Sequence, residues 1–142
     1  MIIPDVNLLV YAVFDGYPQH ERAVQWLTGA LNGAETVGLT APAIFGFVRL
    51  ATSARIHETP LSVAAVREYV REWLARPQVQ FLTPGPEHVG VALGLLERVG
   101  TGANLTTDAQ LAAYAVESGG AIYSNDADFG RFAGVPWVDP LR

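Results

Sequence analysis

Six aspartates are present, and four of them fall where a strand ends or a helix begins. Asp5 follows the run Ile2-Ile3-Pro4, Asp108 stands in the first turn of a helix that starts at Thr107, and Asp126 and Asp128 belong to "SNDADF", directly after Ala121-Ile122-Tyr123. A carboxylate at the edge of a buried sheet is costly unless it finds a partner. If Asp5, Asp108 and Asp126 meet at one edge, their mutual repulsion is relieved by Mg²⁺ or Mn²⁺, hard cations that take oxygen ligands and keep several waters. Such an ion lowers the pKa of a bound water, orients it for in-line attack on phosphorus and neutralises charge on the non-bridging oxygens. That is the chemistry of phosphodiester hydrolysis. Each acid also has an ordinary explanation. Thr107-Asp108-Ala109-Gln110 fits a capping box, in which an aspartate in the first turn favours the helix dipole. Asp126 or Asp128 can cap the short helix that follows.

The elements that must position these acids can be read from hydrophobic spacing. Ile2-Ile3 reads as a buried strand ending at Asp5, and Asn7 as the cap of a helix carrying Leu8, Leu9, Tyr11 and Ala12. Ala23, Trp26, Leu27 and Ala30 recur at intervals of three and four, which predicts a helix from His20 to Leu31. A strand is expected over Thr36 to Leu39, a helix from Pro42 to about Ala51, and another from Leu61 to Leu74 with Val66, Tyr69, Val70 and Trp73 on its apolar side. Val79 to Leu82 reads as a strand or extended link, and about Glu87 to Val99 as a helix. The helix at Thr107 stops at Gly119-Gly120, before the strand Ala121 to Tyr123. Asp126 to Phe132 is a short helix, and Val135 to Val138 supplies a last strand. This alternation predicts an α/β domain with a central, mainly parallel sheet, whose functional crevice lies beyond the carboxyl ends of the strands.

Composition narrows the function classes. A chain of 142 residues fits one domain spanning 1–142, and 50% hydrophobic against 16% charged residues argues against disorder. The net charge of -5 offers nucleic acid no general attraction, so a polyanion must be met by a local basic patch or by bound metal. All nine basic residues are arginine. The absence of lysine removes Schiff-base and P-loop chemistry, and also phosphotransfer of the receiver or aspartate-phosphatase kind, which uses a lysine at the phosphate. No cysteine is present, the opening "MIIPDVNLLVYA" does not read as a signal peptide, and no apolar run reaches the roughly 18 residues of a membrane span. A soluble cytoplasmic protein with no membrane partner is expected. His20, His57 and His88 are scattered and form no zinc spacing. Trp26, Trp73 and Trp137 read as core or interface residues in preference to base-stacking platforms.

Read in order, "PDVNLLVYA", "HERAVQWL", "FVRLAT", "TTDAQLAAYAVESG", "SNDADFGRF" and "VPWVDPL" resemble the PIN-domain nucleases, and in particular the VapC toxins of bacterial toxin-antitoxin pairs. The resemblance implies a PIN-like three-layer α/β/α domain, Mg²⁺- or Mn²⁺-dependent cleavage of RNA, a homodimer, and inhibition by a cognate VapB-like antitoxin. Asp5, Asp108 and Asp126 match the family's metal-binding acids, and Asp128 a frequent additional one. The chain departs from the pattern at Gly46, where the family usually has a glutamate; a branch of VapC-like proteins also lacks it. One firmly held Mg²⁺ is therefore expected on Asp5 and Asp126, with Asp108 or Asp128 ligating directly or through water. Asn7, Thr107, Ser124 and Asn125 are candidates to orient carboxylates or waters, though each is also an ordinary cap or turn residue. Arg49 could contact substrate phosphate or merely snorkel. The apolar faces of the second and fourth helices, where they exceed what the sheet can cover, form a groove for an antitoxin helix or a dimer seam. The competing reading is a catalytically weakened PIN-fold module that binds antitoxin or RNA without turnover.

Overall fold

The computed structural model describes residues 1–142. Five short strands, β1 (Ile2–Pro4), β2 (Val37–Leu39), β3 (Val79–Phe81), β4 (Ala121–Tyr123) and β5 (Trp137–Val138), form one parallel sheet in the order β3-β2-β1-β4-β5. Six helices connect or flank them: α1 (Val6–Val13), α2 (His20–Asn32), α3 (Ala41–Ala51), α4 (Val63–Leu74), α5 (His88–Val99) and α6 (Thr106–Ser118). The chain steps outward from β1 to β2 to β3, then returns through α5 and α6 to β4 and on to β5. With right-handed crossovers this places α1 to α4 over one face of the sheet and α5 and α6 over the other. A sheet covered on both faces needs apolar residues throughout its strands, and Ile2, Ile3, Val37, Leu39 and Ile122 are all buried in one core of 24 residues.

Pro4 is tolerated in the middle of the sheet because only Ile2 of β1 is in register with β2, so its missing N–H interrupts no ladder on that side. The ladder to β4 continues past it, with Asp5 N donating to Tyr123 O at 2.9 Å. Strand order reverses between β1 and β4, whose carboxyl ends therefore flank the open point of the sheet.

Every predicted strand and helix is present, with ends shifted by a residue or two. Two capping assignments are overturned. Asn7 lies inside α1, and Asp5 is the cap, its Oδ1 accepting from Val6 N at 2.7 Å in an extended backbone conformation. Thr107 lies inside the first turn of α6, which carries no side-chain cap. A 3-10 turn over Ala103–Leu105 runs straight into α6 and meets its first N–H groups with backbone carbonyls, as Thr106 N donates to Ala103 O. The carboxylate of Asp108 is thereby left free of capping duty. The segment after β4 is a 3-10 helix, Ala127–Arg131, capped by Asp126 through a 2.9 Å bond from Asp128 N.

Helix α1 crosses α3 closely because Gly46 has no side chain: a Cβ there would stand 2.6 Å from Val6 Cγ2. Val6 is the residue directly after Asp5, so the space that a longer side chain at 46 would need is occupied at the edge of the acidic cluster. Gly46→Glu is expected to lower stability by about 1–3 kcal/mol through overpacking, read as a fall of several degrees in Tm. Adding Val6→Ala should recover part of that fall; equal melting of Gly46→Glu and the parent would contradict the contact.

Candidate metal centre

Four carboxylates gather at the carboxyl end of β1 and β4. Asp5 arrives from β1, Asp126 and Asp128 from the turn after β4, and Asp108 from the first turn of α6, which runs back toward the bottom of β4. Ligand-capable oxygens of Asp108, Asp126 and Asp128 lie within 4.8 Å of one another. Asp5 stands beside them, 8% exposed, with both oxygens engaged: Oδ1 caps α1 and Oδ2 accepts from Ser124 Oγ at 2.8 Å. Asp108 and Asp126 are half-buried and Asp128 is exposed.

Ser124 organises the cluster. It is fully buried, donates to Asp5, and its Oγ accepts from Asp126 N at 2.9 Å and from Asn7 Nδ2 at 3.4 Å. One hydroxyl thus ties the end of β4 to both Asp5 and α1. Trp137 Nε1 braces the same residue from β5, donating to Ser124 O at 3.0 Å. The Asn7 amide leaves Oδ1 buried and unpartnered next to this network.

The electrostatics are those of crowded anions. Burial pushes the Asp108 carboxyl up to about 7, and the charges of Asp5, Asp126 and Asp128 add to the shift. Asp5 is raised mainly by burial, against the lowering effect of its bonds from Ser124 and Val6, with Asp126 raising it further. The same negative field reaches α1: the Tyr11 phenol is raised by burial, then by Tyr17, Asp5 and Asp126. None of the ion pairs in the molecule involves these four acids. An oxygen-only set without an arginine partner suits a hard divalent cation.

The chain matches the PIN domain family model over residues 2–135. It belongs to the PIN domain family. Ribonuclease VapC33 of Mycobacterium tuberculosis is 56% identical over 142 residues, covering 100% of this chain and 99% of the relative. Ribonuclease VapC37 of the same organism is 44% identical, covering 99% and 97%. Among solved structures, Mycobacterium tuberculosis VapC20, a sarcin-ricin loop cleaving toxin, superposes with a TM-score of 0.72 at 18% identity, covering 95% of this chain and 96% of that one. In this PIN domain the acids predicted from sequence lie at one sheet edge, Asp128 included.

The other candidates divide. Asn7 faces the cluster through Ser124. Thr107 is exposed and makes no side-chain hydrogen bond, and Arg49 is exposed on α3 with no bond to any of the acids. The three histidines are occupied elsewhere: His57 between Tyr17 and Leu50 O, His20 on Tyr11 O, and His88 on Glu117. Ser124 is the residue that sequence reasoning undervalued. Its local signal is the two-residue spacing to Asp126, which a serine hydroxyl can bridge to the backbone N–H of residue i+2; its bond to Asp5, 119 residues away, has no local signal.

Folded-state carboxyl pKa values raised above the ordinary 3.8 mean that the folded protein holds more protons than the unfolded chain between 3.8 and about 7. This contribution to stability is complete below the unfolded value and is lost as pH rises through about 7. The metal-free protein is therefore expected to melt lower at about pH 8 than at about pH 5.5. Asp108→Asn should flatten that difference, and a divalent cation added at the higher pH should reverse it. A pH difference identical in parent and variant would contradict the coupling.

Proposed function

We propose that residues 1–142 act as a single PIN-domain toxin of a type II toxin-antitoxin pair, a ribonuclease that hydrolyses RNA phosphodiester bonds with Mg²⁺, or Mn²⁺ in its place. The observation that carries this reading is the cluster Asp108, Asp126 and Asp128, with Asp5 beside it, at the strand-order reversal and with none of the four in an ion pair. Full-length identity of 56% to a protein named a ribonuclease supports it. Asp5 and Asp126 are assigned as the principal ligands, with Asp108 and Asp128 ligating directly or through water. When bound, the ion would supply charge neutralisation at the scissile phosphate and a more acidic water. The chain itself supplies orientation. Ser124 holds Asp5 and the Asp126 backbone in one geometry, and the unpartnered Asn7 Oδ1 is placed to accept from an ordered water.

The partner reading is a VapB-like antitoxin. Of the second and fourth helices considered for it, α2 turns Ala23, Leu27 and Leu31 into the fold, whereas α4 keeps an apolar face open. The open groove lies between α4 and α3, about 680 Å³ in volume, with Phe45 67% and Val63 69% exposed and Arg67 and Arg71 beside them. An amphipathic antitoxin helix with acidic flanking residues fits such a groove. A second copy of the chain is assigned to the face of α5, where Val89 and Leu93 are exposed. The cytoplasm is assigned as its place of action, in keeping with the RNA reading.

The alternative of a PIN module that binds without turnover is favoured by one observation, the Val6 side chain filling the space at Gly46. One experiment separates the two readings: sequencing of RNA ends after controlled expression, with Asp5→Asn in parallel. Cleavage is expected from the parent only with a divalent cation, falling by roughly 10²-fold or more in Asp5→Asn, the scale set by loss of a single electrostatic contact to the transition state. Ser124→Ala should weaken Mg²⁺ affinity by about 10–100-fold while the protein stays folded. No cleavage by the parent at any Mg²⁺ concentration would favour the binding module, and cleavage by Asp5→Asn at the parent rate would sink the metal assignment.

A further inference from the structure

A polyanion approaching this protein meets a chain of net charge -5 and a cluster of carboxylates, so an arginine without a counter-ion near the sheet edge is a natural point of contact beside any bound metal. The first turn of α2 faces the loop after β4. Between them lies a polar cavity of about 410 Å³ lined by Gln19, Arg22, Asn125, Pro18 and Leu141. A second cavity of about 430 Å³ shares Arg22 and Leu141 and continues along α2 past Gln25 and Trp26. Together they make a trough that begins at the residue preceding Asp126.

The side chains in this trough are committed in a particular way. Arg22 is anchored by one bond, Nη1 to Leu141 O at 3.0 Å, and has no carboxylate partner, so its remaining N–H groups are unclaimed. The Gln19 side chain makes no hydrogen bond although it occupies the cap position of α2, and its Oε1 is buried without a partner. Asn125 is held through Nδ2, which donates to Asp139 Oδ2 at 3.0 Å, leaving its amide oxygen available. Trp26 is fixed by stacking on Tyr123, with ring centroids 5.8 Å apart. An anchored guanidinium without a counter-ion, flanked by the Asn125 amide oxygen and the uncommitted Gln19 Nε2, is complementary to one backbone phosphate with the polar groups of its nucleotide. The apolar groove between α3 and α4 offers a protein helix a different kind of surface, so the trough is assigned to nucleic acid.

We infer that this trough carries the RNA strand next to the scissile phosphate, with Arg22 as the backbone phosphate contact and the Gln19 and Asn125 amides as contacts to sugar or base edges. The inference rests on the ribonuclease reading above. Its test uses Asp5→Asn protein, so that binding is measured without turnover, and a single-stranded RNA oligonucleotide titrated at several salt concentrations. Arg22→Gln keeps a donor for Leu141 O and removes the charge. It should weaken binding by about 5- to 10-fold and reduce the slope of log affinity on log salt by about 0.7, the contribution of one phosphate contact on a single strand. Arg22→Lys should restore the slope, and Gln19→Ala should weaken binding with the slope unchanged. In protein with Asp5 intact, the Arg22→Gln loss should appear in KM. Equal affinity and slope for Arg22→Gln and its parent would overturn the inference while leaving Asp5-dependent cleavage standing. Absence of RNA binding at low salt would overturn it too, and loss of Asp5-dependence would instead remove the ribonuclease reading.

Discussion

Repulsion among four carboxylates at the end of β1 and β4 is the constraint on which the rest of the molecule turns. Burial pushes the Asp108 carboxyl up to about 7, and the neighbouring charges of Asp5, Asp126 and Asp128 push it the same way, so the four resist ionising together. The fold nevertheless keeps them there, using backbone geometry to bring Asp5, Asp108 and Asp126 from three distant stretches of chain. The strand order provides the opening, since connections leave β1 and β4 in opposite directions. Ser124 provides the precision. Its hydroxyl occupies the centre of the turn and sets Asp5 and Asp126 relative to each other with two bonds under 3 Å.

Order at this edge extends outward in layers. Trp137 on β5 holds the Ser124 carbonyl, and Trp26 on α2 stacks on Tyr123 at the end of β4. The tryptophans thus serve as bracing between the sheet and its surroundings, and Trp73 packs with Phe47 and Tyr69 in the core. Exposed apolar side chains lie on α3 and α4, with Phe45 and Val63, and on α5, with Val89 and Leu93. The carboxylates of the sheet edge and these exposed apolar side chains are different residues.

Gly46 illustrates how a departure from a family pattern is accommodated. Losing a side chain at that position lets α1 and α3 approach until Val6 meets the backbone of α3. Because Val6 adjoins Asp5, this packing also fixes where the first carboxylate emerges. The acidic cluster is made from the remaining aspartates, with Asp128 within reach of Asp108 and Asp126. Arg49, one turn beyond Gly46, remains on the surface apart from the acids.

Much of the fold was legible in the sequence because it is built from local regularities. Short apolar runs and helical spacings of three and four, with Gly and Pro at several boundaries, mark the strands and helices, and β-branched runs such as Ile2-Ile3 can bury themselves only in a covered sheet. The aspartates at strand ends were legible for the same reason: a charge after a buried run needs a partner. The capping roles were not. Asn7 and Thr107 are good caps by residue type, but a cap is chosen by backbone geometry, and here Asp5 and a 3-10 turn took those positions. Ser124 as the hub, the Val6–Gly46 contact and the trough at Arg22 were decided only by tertiary structure. Each depends on residues tens to more than a hundred positions apart meeting within a few ångströms, and no local pattern encodes which pairs will meet.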